Sequence, residues 1–147
     1  MHKLVVDVNI VLTWLGFQSE KHREIGERLF SDLVKGRVAM VAPDFLLTEL
    51  VNVLKWRLHR KEQETRGIVK RVAESGLKFV STESKDIEKL EKLVYRYDLT
   101  AYDACYLLVA QREKCELVTS DPKLLAVQEW CVNLEEAGMV GSREKTM

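Results

Sequence analysis

The sequence predicts an α/β fold: a single domain with a central parallel sheet of about five strands and helices on both faces. Short runs rich in Val or Leu alternate along the chain with longer amphipathic stretches. Strands that alternate with helices imply right-handed crossover connections, and these produce parallel strands. The length of 147 residues suits one domain, and no low-complexity linker or internal repeat divides it.

Five short apolar runs predict the strands. Each is short and rich in Val or Leu, as is typical of the central strands of a parallel sheet that is covered on both faces. The runs occupy residues 3–8, 38–42, 77–81, 115–119 and 131–134.

Five longer segments predict helices, because their apolar residues recur at helical spacing. We expect Pro43 to open the second helix and Gly76 to follow the end of the third. The fifth is apolar on nearly every side and should be buried. The segments occupy residues 20–35, 44–60, 61–74, 85–97 and 101–114. The domain is therefore expected over residues 1–137, followed by a frayed tail at 138–147, where the periodicity is lost.

The composition is that of a globular protein. Apolar residues make up 46% and charged residues 31%, and the 23 basic and 23 acidic residues give zero net charge. No run approaches the ~18 apolar residues that a membrane span needs, and the N-terminus lacks the features of a signal peptide. The cytoplasm is the expected location.

The three cysteines do not form the pattern of a disulfide framework or a zinc site. Cys115 and Cys131 begin two predicted strands that should be neighbours. A disulfide between them and free thiols therefore both remain open, and Cys105 is expected to be a free thiol.

Four acidic residues occupy places that the predicted topology would bring to one edge of the sheet. Asp7 ends the first strand and Asp121 directly follows the fourth, and ligands of such sheets bind at the carboxyl ends of the strands. Glu49 lies near the start of the second helix, and Asp103 lies in the first turn of the buried helix. We therefore expect these four side chains to converge.

A converged set of carboxylates predicts a metal site. Asp103 is the only charged residue between positions 101 and 110, and burying an ionised carboxylate without a partner costs several kcal/mol or more. Carboxylates within ~4–6 Å of one another raise each other's pKa, which a divalent cation relieves. Ligand sets made only of oxygen suit Mg²⁺ or Mn²⁺, as one or two ions, and such sites hydrolyse phosphodiester bonds.

Each acid also has a structural alternative. Asp7 and Asp121 could cap helices, the latter with Pro122 at the first helical position, and Asp103 could form a capping box with Thr100. Glu49 could be a solvated edge residue. Capping and metal binding do not exclude each other.

These acids lie in motifs that resemble the PIN domain family and, within it, the VapC-type toxins of toxin–antitoxin pairs. The motifs are Val-Val-Asp-Val-Asn at 5–9, Leu-Thr-Glu-Leu at 47–50, Thr-Ala-Tyr-Asp-Ala-Cys-Tyr-Leu at 100–107 and Thr-Ser-Asp-Pro at 119–122. The resemblance runs from about residue 4 to about residue 134, and Val8 departs from it where many relatives have a small polar residue.

The resemblance implies a single-strand-specific endoribonuclease that is active with Mg²⁺ or Mn²⁺. By position, Asp7, Glu49, Asp103 and Asp121 take the acidic places, which are both the metal ligands and the catalytic residues. Asn9 and Thr119 would support them by orienting a ligand or a bound water. The resemblance also implies a homodimer and a cognate antitoxin protein that covers the acidic groove.

Two further patterns bear on partners. The segment 55–71 carries seven Lys or Arg residues against two Glu, so Arg57, Arg60 and Lys61 could bind RNA phosphates. The same segment could instead be an ordinary solvated helical hairpin. An apolar set near the first helices could form a dimer surface or belong to the core; it comprises Trp14, Phe17, Leu29 and Phe30.

Three other functions remain as alternatives to the toxin ribonuclease. A haloacid-dehalogenase-like phosphatase would need an acid at position 9, where Asn9 stands instead. A non-catalytic PIN-fold module that binds RNA or protein is opposed by the presence of all four acids. A housekeeping RNA-processing nuclease would use the same site.

Overall fold

A parallel five-stranded sheet forms the centre of the computed structural model, which describes residues 2–17 and 20–138. The strands are β1 (His2–Val6), β2 (Val38–Pro43), β3 (Lys78–Val80), β4 (Glu116–Val118) and β5 (Cys131–Val132). Their order across the sheet is β3-β2-β1-β4-β5, and every pairing is parallel. The predicted α/β class with a five-stranded parallel sheet is confirmed.

The strand order creates a switch point between β1 and β4. From β1 the chain builds outwards through β2 and β3 on one side, and then returns to add β4 and β5 on the other. The connections that leave β1 and β4 therefore diverge, and they open a crevice at the carboxyl ends of the two strands. Asp7 immediately follows β1, and Thr119 immediately follows β4.

The helices are α1 (Val8–Trp14), α2 (Glu20–Val34), α3 (Leu46–Asn52), α4 (Glu62–Ala73), α5 (Ile87–Tyr97), α6 (Ala101–Glu113) and α7 (Pro122–Leu125). A five-residue π-helical turn, Val53–Arg57, continues α3, and a 3₁₀ turn, Ser84–Asp86, leads into α5. The helix α6 packs against β1, β2 and β4, and residues 104–110 are all buried. The prediction of a buried helix at this position is confirmed.

Three boundaries differ from the predicted ones. The first strand ends at Val6 because the Asp7 side chain caps α1, so Val8 is helical. Pro43 ends β2 instead of opening a helix, and α3 begins only at Leu46. The predicted helix 44–60 gives way to the π-helical turn and ends at Arg57, and His59 reverses the chain with a left-handed φ of 54°.

The structure supports the core alternative for the apolar set near the first helices. Trp14 and Leu29 are 4% and 2% exposed, and Phe17 and Phe30 pack against the core from its margin. The rings of Trp14 and Phe30 lie 5.2 Å apart.

The cysteines of the described residues are free thiols, so the disulfide between Cys115 and Cys131 is wrong. The strands β4 and β5 are neighbours as expected, but Cys131 pairs with Leu117, two residues beyond Cys115. Burial raises the pKa of the Cys115 thiol to about 11 and that of Cys131 to about 12, so both carry their protons at neutral pH.

Within the described residues, no helix is both long enough and apolar enough to cross a bilayer. The predicted tail at 138–147 lies outside the described residues from position 139 onwards.

Candidate active site

Asp7 is the most buried acid at the switch point, with 5% of its surface exposed. Its Oδ1 accepts a hydrogen bond from the Ile10 backbone N–H at 3.1 Å, and its Oδ2 accepts one from the Thr119 hydroxyl at 2.6 Å. The pKa of Asp7 is raised from 3.8 to about 6, mainly by burial and also by the charges of Asp103 and Asp121, while the two hydrogen bonds oppose the shift. A carboxylate in this state favours any cation that can reach it.

Thr119 joins the ends of the two strands that flank the switch point. Its side chain is completely buried, and its hydroxyl donates to Asp7 and accepts from the Asp121 backbone N–H at 3.1 Å. One hydroxyl thus fixes the Asp7 side chain and the backbone that carries Asp121. This is the position that the family resemblance gives to a supporting residue.

Asp121 caps α7, as the structural alternative proposed. Its Oδ1 accepts from the Lys123 backbone N–H at 2.9 Å, and Pro122 occupies the first helical position. Capping uses one carboxylate oxygen and holds the side chain at the start of the helix, beside the end of β4. The second oxygen can serve a ligand, so capping and metal binding are compatible here.

Asp103 stands on another side of the same crevice, in the first turn of α6. The cap of this helix is the Thr100 side chain, which accepts from the Asp103 backbone N–H at 3.1 Å. Burial, followed by the charge of Asp121, raises the pKa of Asp103, while Lys123 opposes the shift.

Glu49 projects from α3 and is held by Tyr106 of α6. The Tyr106 hydroxyl donates to Glu49 Oε1 at 3.3 Å. Burial is the main cause that raises the pKa of Glu49, and the charges of Asp103 and Asp7 add to it. Glu49 is therefore part of the acidic site and not a solvated edge residue.

The four acids are close enough for their charges to act on one another: Asp103 and Asp121 raise the pKa of Asp7, Asp103 and Asp7 raise that of Glu49, and Asp121 raises that of Asp103. Across residues 2–17 and 20–138, however, no three His, Cys, Asp or Glu side chains already form a group that could hold a metal ion. A metal site at these residues stays a prediction.

Of the three basic residues predicted to bind RNA, Arg57 contacts one of the predicted site residues. Its Nη2 donates to Asn9 Oδ1 at 3.3 Å, which ties the π-helical turn to the first turn of α1. Arg60 is paired with Glu64 at 3.7 Å and lies over the Phe17 ring. Lys61 is exposed at the start of α4.

Beside Glu49 and Asp103 lies a groove that the sequence did not reveal. It has a volume of about 780 Å³, and the aromatic residues along it are Phe45, Trp56 and Tyr102. Trp56 follows Glu49 by about two helical turns, and Tyr102 directly precedes Asp103. The nearness of these aromatic residues to two candidate acids in the sequence is the pattern from which the groove could have been predicted. A smaller cavity of about 260 Å³ lies on the Asn9 and Thr119 side of the site.

By its fold, this is an α/β protein with a parallel sheet. Its acidic side chains lie near the switch point, at the carboxyl ends of the strands. A sequence profile of the PIN domain matches residues 4–129, and the chain belongs to the PIN domain family. The predicted family is confirmed.

Solved structures share the fold over nearly the whole chain. A protein from Pyrobaculum aerophilum is 21% identical, with 97% of this chain and 96% of that chain covered and a TM-score of 0.68. A toxin–antitoxin complex from Klebsiella pneumoniae matches with 20% identity, 89% and 97% coverage and a TM-score of 0.61. VapC20 of Mycobacterium tuberculosis, described as a sarcin–ricin loop cleaving toxin, matches with 13% identity, 84% and 94% coverage and a TM-score of 0.66.

Because these sequence identities are low, the similarity to the solved structures shows a shared fold. None of the curated proteins compared with the chain matches it significantly.

Proposed function

We propose that this protein is a metal-dependent endoribonuclease that hydrolyses single-stranded RNA, and that it is the toxin of a toxin–antitoxin pair. The observation that carries the proposal is the buried Asp7 carboxylate at the β1–β4 switch point. It is fixed by Thr119 and surrounded by the charges of Glu49, Asp103 and Asp121. A protein does not keep such a carboxylate for stability, because its ionised form is penalised by burial.

The donor set fits Mg²⁺ or Mn²⁺. All four candidate ligands are carboxylates, which are the donors that hard divalent cations prefer. Burial and the neighbouring acids raise the pKa of Asp7, Glu49 and Asp103, which gives these three a reason to accept a cation. Asp7, Asp103 and Asp121 would hold one ion, and Glu49 would bind a second ion or position the attacking water. When bound, the ion lowers the pKa of a water and neutralises charge on the phosphodiester.

The chain's own residues orient the acids for this chemistry. The Thr119 hydroxyl holds Asp7, and the Tyr106 hydroxyl holds Glu49. Burial and the adjacent acids raise the pKa of the Tyr106 hydroxyl, so it remains a proton donor to Glu49 throughout the working pH range. Both contacts act as supports that keep a metal-binding carboxylate in place.

The toxin assignment is supported by the fold neighbours, which include a toxin–antitoxin complex and an RNA-cleaving toxin. It leads us to propose a cognate antitoxin as a protein partner, a homodimer as the assembly and the cytoplasm as the location. An RNA-processing role would use the same chemistry and would be distinguished by the absence of an antitoxin gene beside this one.

The test is cleavage of a labelled single-stranded RNA by the purified protein with Mg²⁺ or Mn²⁺, compared with the same reaction in EDTA. We expect cleavage only with the metal and products with 5′-phosphate and 3′-hydroxyl ends. Asp103→Asn should lower the rate by more than about 100-fold, beyond the effect of losing a merely supporting residue. The matched control is Glu91→Gln, which neutralises an exposed acid on α5 and should cleave like the wild type.

Cleavage that persists in EDTA, or an Asp103→Asn variant as active as the wild type, would contradict the proposed mechanism. RNA binding without cleavage under any metal condition would favour a non-catalytic PIN-fold module instead.

A further inference from the structure

We propose that the groove beside Glu49 and Asp103 is a stacking subsite for an unpaired RNA base next to the scissile phosphate, with Trp56 and Tyr102 as its platforms. This inference rests on the proposed function and adds the part of the substrate that the site recognises.

The groove is continuous with the acidic site. Glu49 and Asp103 lie in its wall, so whatever occupies it lies beside the reacting centre. Its volume of about 780 Å³ is within the ~300–1,000 Å³ of sites for ligands of drug or nucleotide size. An RNA strand whose phosphate reaches the acids would place a neighbouring nucleotide here.

Two large aromatic side chains are left exposed at this groove. Trp56 is 67% exposed and Tyr102 is 65% exposed, which is unusual for rings of this size on a protein with a well-packed core. Stacking on exposed rings is the common way in which proteins hold single-stranded nucleic acid, because every base offers an aromatic face.

The tyrosine platform is fixed by packing. The Tyr102 ring meets Phe45 edge to face, with centroids 5.4 Å apart, and Phe45 in turn meets Tyr106 at 5.5 Å. Tyr106 is the residue that donates to Glu49. The stacking surface and the catalytic carboxylate therefore share one rigid aromatic support, which sets the distance between a bound base and the acids.

The tryptophan platform is placed by the π-helical turn, which carries Lys55, Trp56 and Arg57 together. The Lys55 Nζ lies 4.8 Å from the centroid of the Trp56 ring, and Arg57 is tied to Asn9. Both side chains put a positive charge on the turn that carries Trp56, which suits the phosphates of a strand whose base stacks there, while the neutral base itself tolerates the neighbouring acids. Irregular turns of this kind in helices are frequent at functional sites.

The polar residues between the rings favour a nucleic acid over an apolar protein segment. Thr48, Asn52 and Thr100 line the groove with hydroxyl and amide groups that can meet base edges or ribose hydroxyls. A protein partner's apolar anchor would leave the side chains of Thr48 and Asn52 without the hydrogen bonds that they make to water, at a cost in affinity.

The experiment measures binding of a single-stranded RNA by fluorescence anisotropy, in an Asp121→Asn background that prevents cleavage and lies outside the groove. Trp56→Ala should raise the Kd by about 5- to 150-fold, the factor that corresponds to the loss of one base–aromatic stack. Trp56→Phe should recover most of the affinity. The control is Tyr95→Ala on α5, a ring that is 83% exposed and away from the groove, and it should leave the Kd unchanged.

An RNA that lacks one base at a time separates stacking from general damage. At the nucleotide whose base occupies the groove, removing the base should weaken RNA binding to the wild-type groove and have little further effect on RNA binding to Trp56→Ala. If the loss of a base and the Trp56→Ala substitution instead raise the Kd independently at every nucleotide position, so that their factors multiply, the subsite is overturned. An unchanged Kd of Trp56→Ala for RNA would also overturn the subsite. If Trp56→Ala binds RNA normally but no longer binds the antitoxin, the groove is a binding site for the protein partner instead.

The two proposals fail in different ways. A wild type that cleaves RNA while Trp56→Ala binds and cleaves equally well would remove the subsite and leave the nuclease intact. A wild type that never cleaves RNA would remove the nuclease, whatever the binding result.

Discussion

The buried charge of Asp7 should make the metal-free protein less stable at neutral pH, and Asp7→Asn should relieve this. The pKa of Asp7 is 3.8 in the unfolded chain and about 6 in the folded protein, because burial disfavours the ionised form. Below pH 3.8 the carboxyl is protonated in both states and carries no penalty. Between pH 3.8 and about 6 the unfolded chain releases its proton first, so the stability of the folded state falls.

The size of the effect follows from the two pKa values. Their separation of about two pH units, at 1.36 kcal/mol for each, gives about 3 kcal/mol lost by pH 7.5, with about 1 kcal/mol already lost at pH 4.5. The asparagine variant keeps a side-chain oxygen for the Ile10 N–H, and its amide can donate to the Thr119 hydroxyl, so the local hydrogen bonds can be replaced.

The assay is urea denaturation of both proteins in EDTA at pH 4.5 and pH 7.5. The free energy of unfolding of the variant relative to the wild type should increase by about 2 kcal/mol between the two pH values. Mg²⁺ at 100 times its Kd should then stabilise the wild type at pH 7.5 by about 2.7 kcal/mol, and the variant far less. A difference between the proteins that does not change with pH would refute the raised pKa, and an equal response to Mg²⁺ would refute Asp7 as a ligand.

Two further changes test the support of the site and the packing of the fold. Thr119→Val removes the hydroxyl that holds Asp7 and should lower the rate of RNA cleavage by about 10- to 100-fold. Thr119→Ser keeps the hydroxyl and should keep most of the activity. Equal cleavage rates for the two variants would contradict the role of the hydroxyl. Gly26→Ala should destabilise the protein by at least ~1–3 kcal/mol, because a Cβ there would overlap the Thr13 side chain and lie 2.9 Å from its carbonyl carbon. Gly67→Ala, in open space on a helix, is the matched control and should stabilise by ~0.5–1 kcal/mol in the same urea titration.

Local sequence determined most of the fold. The apolar runs predicted five strands and the periodic segments predicted the main helices, because burial on both faces of a sheet and on one face of a helix leaves a pattern in consecutive residues. The helix α6 was predicted to be buried because its own residues are apolar on nearly every side of the helix. The end of β2 at Pro43 was missed because a strand end depends on which neighbouring strand supplies the next hydrogen bond. The cap at Asp7 is local, since its side chain accepts from the Ile10 N–H three residues on, and it was among the alternatives given by the sequence.

The candidate acids could also be found from sequence, since Asp7 and Asp121 follow strands, and strand ends meet at one edge of a parallel sheet. Their partners could not. The contact of Tyr106 with Glu49 spans 57 residues and that of Arg57 with Asn9 spans 48, and nothing in either local pattern encodes such a pairing.

The amino-acid sequence by itself thus determined the layered architecture and the set of acids, because each depends on residue type at regular spacing along one segment. Tertiary structure alone decided the register that keeps Cys115 away from Cys131, the π-helical turn that presents Trp56, and the hydroxyl of Thr119 that joins two strand ends. These features depend on how separate segments pack against each other, and that packing is a property of the folded whole.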